Sequence, residues 1–114
     1  MQLNWIKCTG NVWCQLETVN LEGVGDVAGV YLIWHGGLTP RWVRVGQGII
    51  KERLAAHRTD PQILAYRQHG LFVTWASVAH ELRDGIEAYL ALQCAPLVGE
   101  RFPQRIPVVV NLPQ

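Results

Sequence analysis

The segment Gly29-Val30-Tyr31-Leu32-Ile33-Trp34 constrains the fold more than any other stretch of this chain. It is β-branched, aromatic and bounded by glycines, so it reads as a buried strand. His35-Gly36-Gly37-Leu38-Thr39-Pro40 has the glycines and proline of a turn, and Arg41-Trp42-Val43-Arg44-Val45-Gly46 alternates as a second strand. The two are expected to pair as an antiparallel hairpin.

After Gly46-Gln47-Gly48 the period changes. Ile50 and Leu54 fall four apart, as do Arg53 and His57 on the neighbouring stripe, which predicts a short amphipathic helix. Thr59-Asp60-Pro61 ends it, and a further helical turn is expected between Pro61 and Gln68. Leu71 to Ala76 reads as a third strand. A longer helix is expected over about His80 to Cys94, with Leu82, Ile86, Tyr89, Leu90 and Gln93 on one face and Pro96 stopping it. Residues 1–26 read as a lead-in hairpin, residues 27–99 as the core, and residues 100–114 as an irregular tail with one short edge strand at Val108-Val109-Val110. The order predicts one domain over residues 1–114, of the α/β (α+β) class, with a small three-stranded antiparallel sheet flanked by helices.

Composition agrees with a single self-supporting domain. At 114 residues there is no room for two, and 49% hydrophobic against 17% charged residues supplies a core and excludes a disordered chain. The start, Met1-Gln2-Leu3-Asn4-Trp5-Ile6, has no basic region followed by an apolar run, and no apolar stretch approaches the roughly 20 residues that span a bilayer. A soluble, cytoplasmic protein without membrane association is expected. Cys8, Cys14 and Cys94 are an odd set with no C-x-x-C pair, and are expected to be reduced and mostly buried.

The net charge of +1 conceals an uneven distribution. Residues 41–69 carry a balance of +4, with Arg41, Arg44, Lys51, Arg53, Arg58 and Arg67 against Glu52 and Asp60, while the segments on either side are acidic. Eight of the ten basic residues are arginine, whose planar fork suits bidentate phosphate contacts. A local anionic partner is therefore compatible with the near-neutral total.

Several familiar chemistries are disfavoured. Gly46-x-Gly48 follows a strand and precedes a helix, but Lys51 stands where a dinucleotide fingerprint needs its third glycine. His35-Gly36-Gly37 looks like part of an oxyanion loop, yet the only serine, Ser77, has no nucleophile elbow around it. His35, His57, His69 and His80 have no regular metal-ligand spacing.

The set Gly29-Val30-Tyr31, Arg44-Val45-Gly46, Arg53 with His57 one turn later, and Glu87 in Ile86-Glu87-Ala88-Tyr89-Leu90 resembles the GIY-YIG nuclease superfamily over roughly residues 27–99. Arg44 stands where the second motif of that family carries tyrosine, and Gly99 follows Pro96-Leu97-Val98 where members often have asparagine. The resemblance implies a metal-dependent endonuclease that hydrolyses phosphodiester bonds in DNA, or less readily RNA. It implies Tyr31, Arg53, His57 and Glu87 as catalytic residues, Glu87 as ligand of one Mg²⁺ or Mn²⁺, Tyr31 as general base and Arg53 as phosphate contact, while Arg41, Arg44, Lys51 and Arg58 would hold nucleic acid. No separate recognition domain is visible, so specificity would come from a homodimer or a targeting partner protein.

Each of these residues also has an ordinary structural reading: a core tyrosine, a solvated arginine, and a glutamate paired with Arg83 four residues back. Two other functions compete. One is a catalytically inactive nucleic-acid binder of the same fold, suggested by Arg44. The other is a protein-interaction module, suggested by five tryptophans, Trp5, Trp13, Trp34, Trp42 and Trp75, any exposed one of which would also stack on unpaired bases.

Overall fold

A computed structural model describes residues 1–99 and 102–113. The chain runs β1 (Cys14–Gln15), α1 (Leu21–Val24), β2 (Ala28–His35), β3 (Arg41–Ile49), α2 (Ile50–His57), α3 (Pro61–Leu64), a single 3₁₀ turn (Arg67–His69), β4 (Leu71–Ser77) and α4 (His80–Cys94). The strands form one antiparallel sheet in the order β1-β4-β2-β3. The expected sheet of three strands is thus a sheet of four among the described residues. The extra strand is too short to leave a periodic signal, and it exists because Cys14 and Gln15 pair with Val73 and Phe72.

β2 sits in the middle and is covered on both faces, which is why its sequence is nearly continuously apolar where a half-solvated strand would alternate. On one face Tyr31 and Ile33 pack with Ile50 and Leu54 of α2, Ile63 of α3, and Val73 and Trp75 of β4. On the other, Val30, Leu32 and Val45 pack with Ile86, Leu90 and Cys94 of α4. The period-2 alternation of the strand thus sends Tyr31 towards α2 and its neighbours towards α4.

The hairpin is longer than the sequence suggests. β3 continues through Gly46-Gln47-Gly48 to Ile49, with Gly48 opposite Gly29 and Ile49 opposite Ala28. Gly48 takes φ +133°, a backbone conformation that side chains resist, and the chain enters α2 two residues later. α4 has the expected bounds.

The lead-in is built differently from a simple hairpin. Cys8 and Val12 form an isolated bridge around a turn in which Gly10 and Asn11 both have positive φ, and this brings the Cys8 and Cys14 Cα atoms to 5.2 Å. The two are joined as a disulfide, which corrects the expectation of reduced thiols; Cys94 is free and buried. Sequence spacing could not reveal the pairing because it depends on the left-handed residues at the turn. Disulfides are rare in the reducing cytosol, so this one lends no support to the cytoplasmic expectation. No helix among the described residues is long and apolar enough to cross a membrane.

The tail contains no strand among its described residues, so the expected edge strand at Val108-Val109-Val110 does not form. The Val108 amide instead donates to the Gly85 carbonyl of α4. Asn111 clamps the N-terminal segment: its side chain exchanges hydrogen bonds with the Leu3 backbone, and its carbonyl accepts from the Trp5 indole at 2.9 Å.

Candidate active site

β2 and α2 bring the first two candidate residues into contact. The Tyr31 hydroxyl and His57 Nε2 are 2.5 Å apart. Tyr31 is wholly buried in the α2-side core, and His57, the last residue of α2, is 7% exposed. Tyr31 therefore serves as a core residue and a hydrogen-bonding group at once. Burial holds the His57 imidazole down to a pKa of about 4, and the positive charges of Arg44 and Arg53 push the same way against a smaller opposing pull from Asp60. It is neutral at physiological pH.

Gly46 shows why a small residue is needed beside that pair. It lies opposite Tyr31 in the β2–β3 register, and a Cβ built on it would collide with the phenol ring and hydroxyl. Arg53, exposed on the first half of α2, lies across Gly48, so a Cβ there would press on the arginine stem at 3.2 Å. Gly46 thus leaves space for Tyr31, and Gly48 for Arg53.

Glu87 comes from α4, on the other side of the sheet, and is 9% exposed. Burial raises its pKa; hydrogen bonding from Gln47 and the charges of Arg44 and Arg53 oppose the rise, and Asp84 adds to it. Gln47 Nε2 donates to Asp84 Oδ1 at 2.7 Å and to Glu87 Oε2 at 3.3 Å. Two carboxylates one helical turn apart are therefore joined through one amide from β3. This set of hard oxygen donors suits a divalent ion such as Mg²⁺, which keeps much of its water and needs one or two protein carboxylates. Arg83 does not pair with Glu87; it donates to the Val78 carbonyl.

Arg44 and Arg53 link the two halves, since each acts on His57 and on Glu87. The Arg44 Nε is buried and has no hydrogen-bond partner among the described residues, leaving a charged donor unmet. Its guanidinium occupies the space that a side chain at Gly99 would need. The other basic candidates lie elsewhere in the network. Lys51 forms an ion pair with Asp26 at 2.8 Å. Arg58 donates to the Leu16 carbonyl at 2.8 Å and to the Val19 carbonyl, bracing the lead-in against α2. Arg41 is exposed at the start of β3 among tryptophans.

Sequence reasoning missed Gln47 and Asp84. The three-residue spacing of Asp84 and Glu87 was a visible sign of a shared helix face, but nothing local indicated that β3 would reach them. Compared with protein-family models, with curated proteins and with solved structures, the chain gives no match.

Proposed function

We propose that this chain is a GIY-YIG-type endonuclease that hydrolyses phosphodiester bonds in DNA. The observation that carries the reading is the Tyr31–His57 hydrogen bond beside two guanidiniums whose charge reaches both His57 and Glu87. The element order supports the reading: a strand with Tyr31, a strand carrying Gly46, a helix with Arg53 and His57, and a later helix with Glu87.

Water attacks phosphorus while the bond to the leaving oxygen breaks. For the pair to act as one base, the buried Tyr31 hydroxyl must be uncovered as water and phosphate enter; it then accepts the proton of the attacking water as its own passes to neutral His57 Nε2. Arg53, exposed on α2, donates to the phosphoryl oxygens as negative charge develops, and Arg44, whose Nε is buried, adds its positive charge from within. Glu87, with Asp84, would hold one Mg²⁺ or Mn²⁺, which when bound supplies charge stabilisation at the phosphate and leaving group. Lys51 and Arg58, already engaged within the protein, contribute less to phosphate contact than Arg44 and Arg53. Specificity would come from a second copy or a targeting partner protein.

The runner-up is a binder without activity, favoured by Arg44 at the position of the second tyrosine. Incubation of supercoiled or branched DNA with Mg²⁺ or Mn²⁺ separates the two. The nuclease nicks it, and Glu87→Gln stops cutting while DNA binding persists. Binding without cutting by the native chain favours the silent binder, and absence of binding even at low salt, where phosphate contacts are strongest, sinks both.

A further inference from the structure

Three aromatic residues stand in one row across the sheet: Phe72 on β4, Trp34 on β2 and Trp42 on β3 are register partners. Trp34 stacks on Phe72 with ring centres 5.9 Å apart, and meets Trp42 at 5.6 Å and Trp13 at 5.5 Å edge-on. Trp13, Trp34 and Trp42, all only half-buried, line a cavity of about 260 Å³ together with Pro40, Arg41 and Pro113. Trp13 and Trp42 pack against the core on the α4 side, the side that also carries Glu87.

We propose that this cavity is a stacking site for one unpaired nucleobase, with the adjoining phosphate on Arg41. The proposal rests on the nucleic-acid reading above. Size supports a small planar occupant, since the volume falls just under the range of roughly 300–1,000 Å³ usual for drug-sized ligands. Charge selects which planar group. Arg41 is exposed at the cavity, and the Lys7 ammonium lies 4.5 Å from the Trp13 ring centre. Two cations repel the quaternary ammonium groups that aromatic cages otherwise hold, and attract an anion. A nucleotide satisfies both demands, because every base presents a face to stack and carries a phosphate beside it.

Position fits as well. Trp34 follows Tyr31 by three residues on β2, an odd step, so it faces the side of α4 and Glu87 while Tyr31 faces α2. A strand whose scissile phosphate lies at the Glu87 end of the site would therefore meet the tryptophans on the same side of the sheet. An unpaired flank beside the cut would be the preferred substrate feature.

The test uses the native chain in EDTA, with a short labelled thymidine oligonucleotide and an abasic oligonucleotide of equal charge. The base-bearing strand is expected to bind about ten-fold tighter or more and to quench tryptophan fluorescence. Equal affinity for the two strands overturns the proposal without any variant. Trp42→Leu, checked for folding by circular dichroism, is expected to erase the difference, whereas Trp42→Phe keeps most of it. Arg41→Gln should weaken both strands alike and reduce the salt slope by about one phosphate contact. A folded Trp42→Leu that still prefers bases, or quenching by a proline-rich peptide in place of the oligonucleotide, also overturns it. The two readings fail separately: base-dependent binding with no cleavage in Mg²⁺ sinks the nuclease and keeps the stacking site, and duplex cleavage without base-dependent binding does the reverse.

Discussion

The Tyr31 hydroxyl and His57 Nε2 approach to 2.5 Å inside the layer between β2 and α2. This contact ties the central strand to the end of the helix that follows the hairpin. Both groups are polar, and each satisfies the other where water does not reach, so the bond stabilises the core, and on the proposed nuclease reading it would also prepare a proton acceptor. Its chemistry depends on the imidazole staying neutral, which burial, Arg44 and Arg53 together ensure.

That neutrality has a signature in stability against pH. With a pKa of about 4 in the folded chain against an ordinary 6.5, His57 takes up a proton on unfolding at any pH between those values. Its contribution is whole above pH 6.5 and is lost as pH falls towards 4, by roughly 3 kcal/mol at most. Urea melts across this range should show a steeper loss for the native chain than for His57→Gln, and parallel curves would contradict the assignment.

Glu87 has the opposite sign. Burial raises its pKa, so the folded chain holds this proton more tightly and stability falls as pH rises through the window from the ordinary carboxyl value to the raised one. Without metal, Glu87→Gln should melt above the native chain at neutral pH and approach it in acid. Adding Mn²⁺ should raise the melting temperature of the native chain and leave the variant unmoved.

Arg44 lowers the pKa of both His57 and Glu87. Replacing it by glutamine should move both upward together. NMR titration of the His57 ring and the Glu87 carboxyl tests this, and movement of one group alone would show that Arg44 does not couple the two halves of the site.

Gly46→Ala places a methyl where the Tyr31 ring lies. Overpacking of this kind costs about 1–3 kcal/mol, and the displaced phenol should lose His57. Expected outcomes are a lower denaturation midpoint and a DNA-cutting rate reduced along with it. A variant with native stability would mean that Tyr31 moves aside freely.

The Cys8–Cys14 disulfide closes a short loop, with a sequence separation of 6. Loop-closure entropy puts its contribution at about 2 kcal/mol, to be read from chemical denaturation of the double Cys→Ser variant. Cys94, its thiol pushed up to about 11 by burial, should stay unreactive towards a thiol reagent until the chain unfolds.

The sequence determined the elements whose signal is local. β-branched and aromatic residues between glycines set β2, and apolar spacing with a terminating proline set α4 at His80–Cys94. Tyr31, Arg53, His57 and Glu87 were legible as candidates because each occupies a recognisable place in an ordered motif. Tertiary structure decided what crosses between elements. β1 exists only through its partners on β4, and β3 extends to Ile49 only because β2 is there to pair with it. The disulfide depends on two left-handed residues at a turn. Gln47 reaches Asp84 and Glu87 because α4 packs on the face of the sheet to which this residue of β3 points. Periodicity assigns a residue to a face of its own element, but the groups opposite that face follow from how the elements pack.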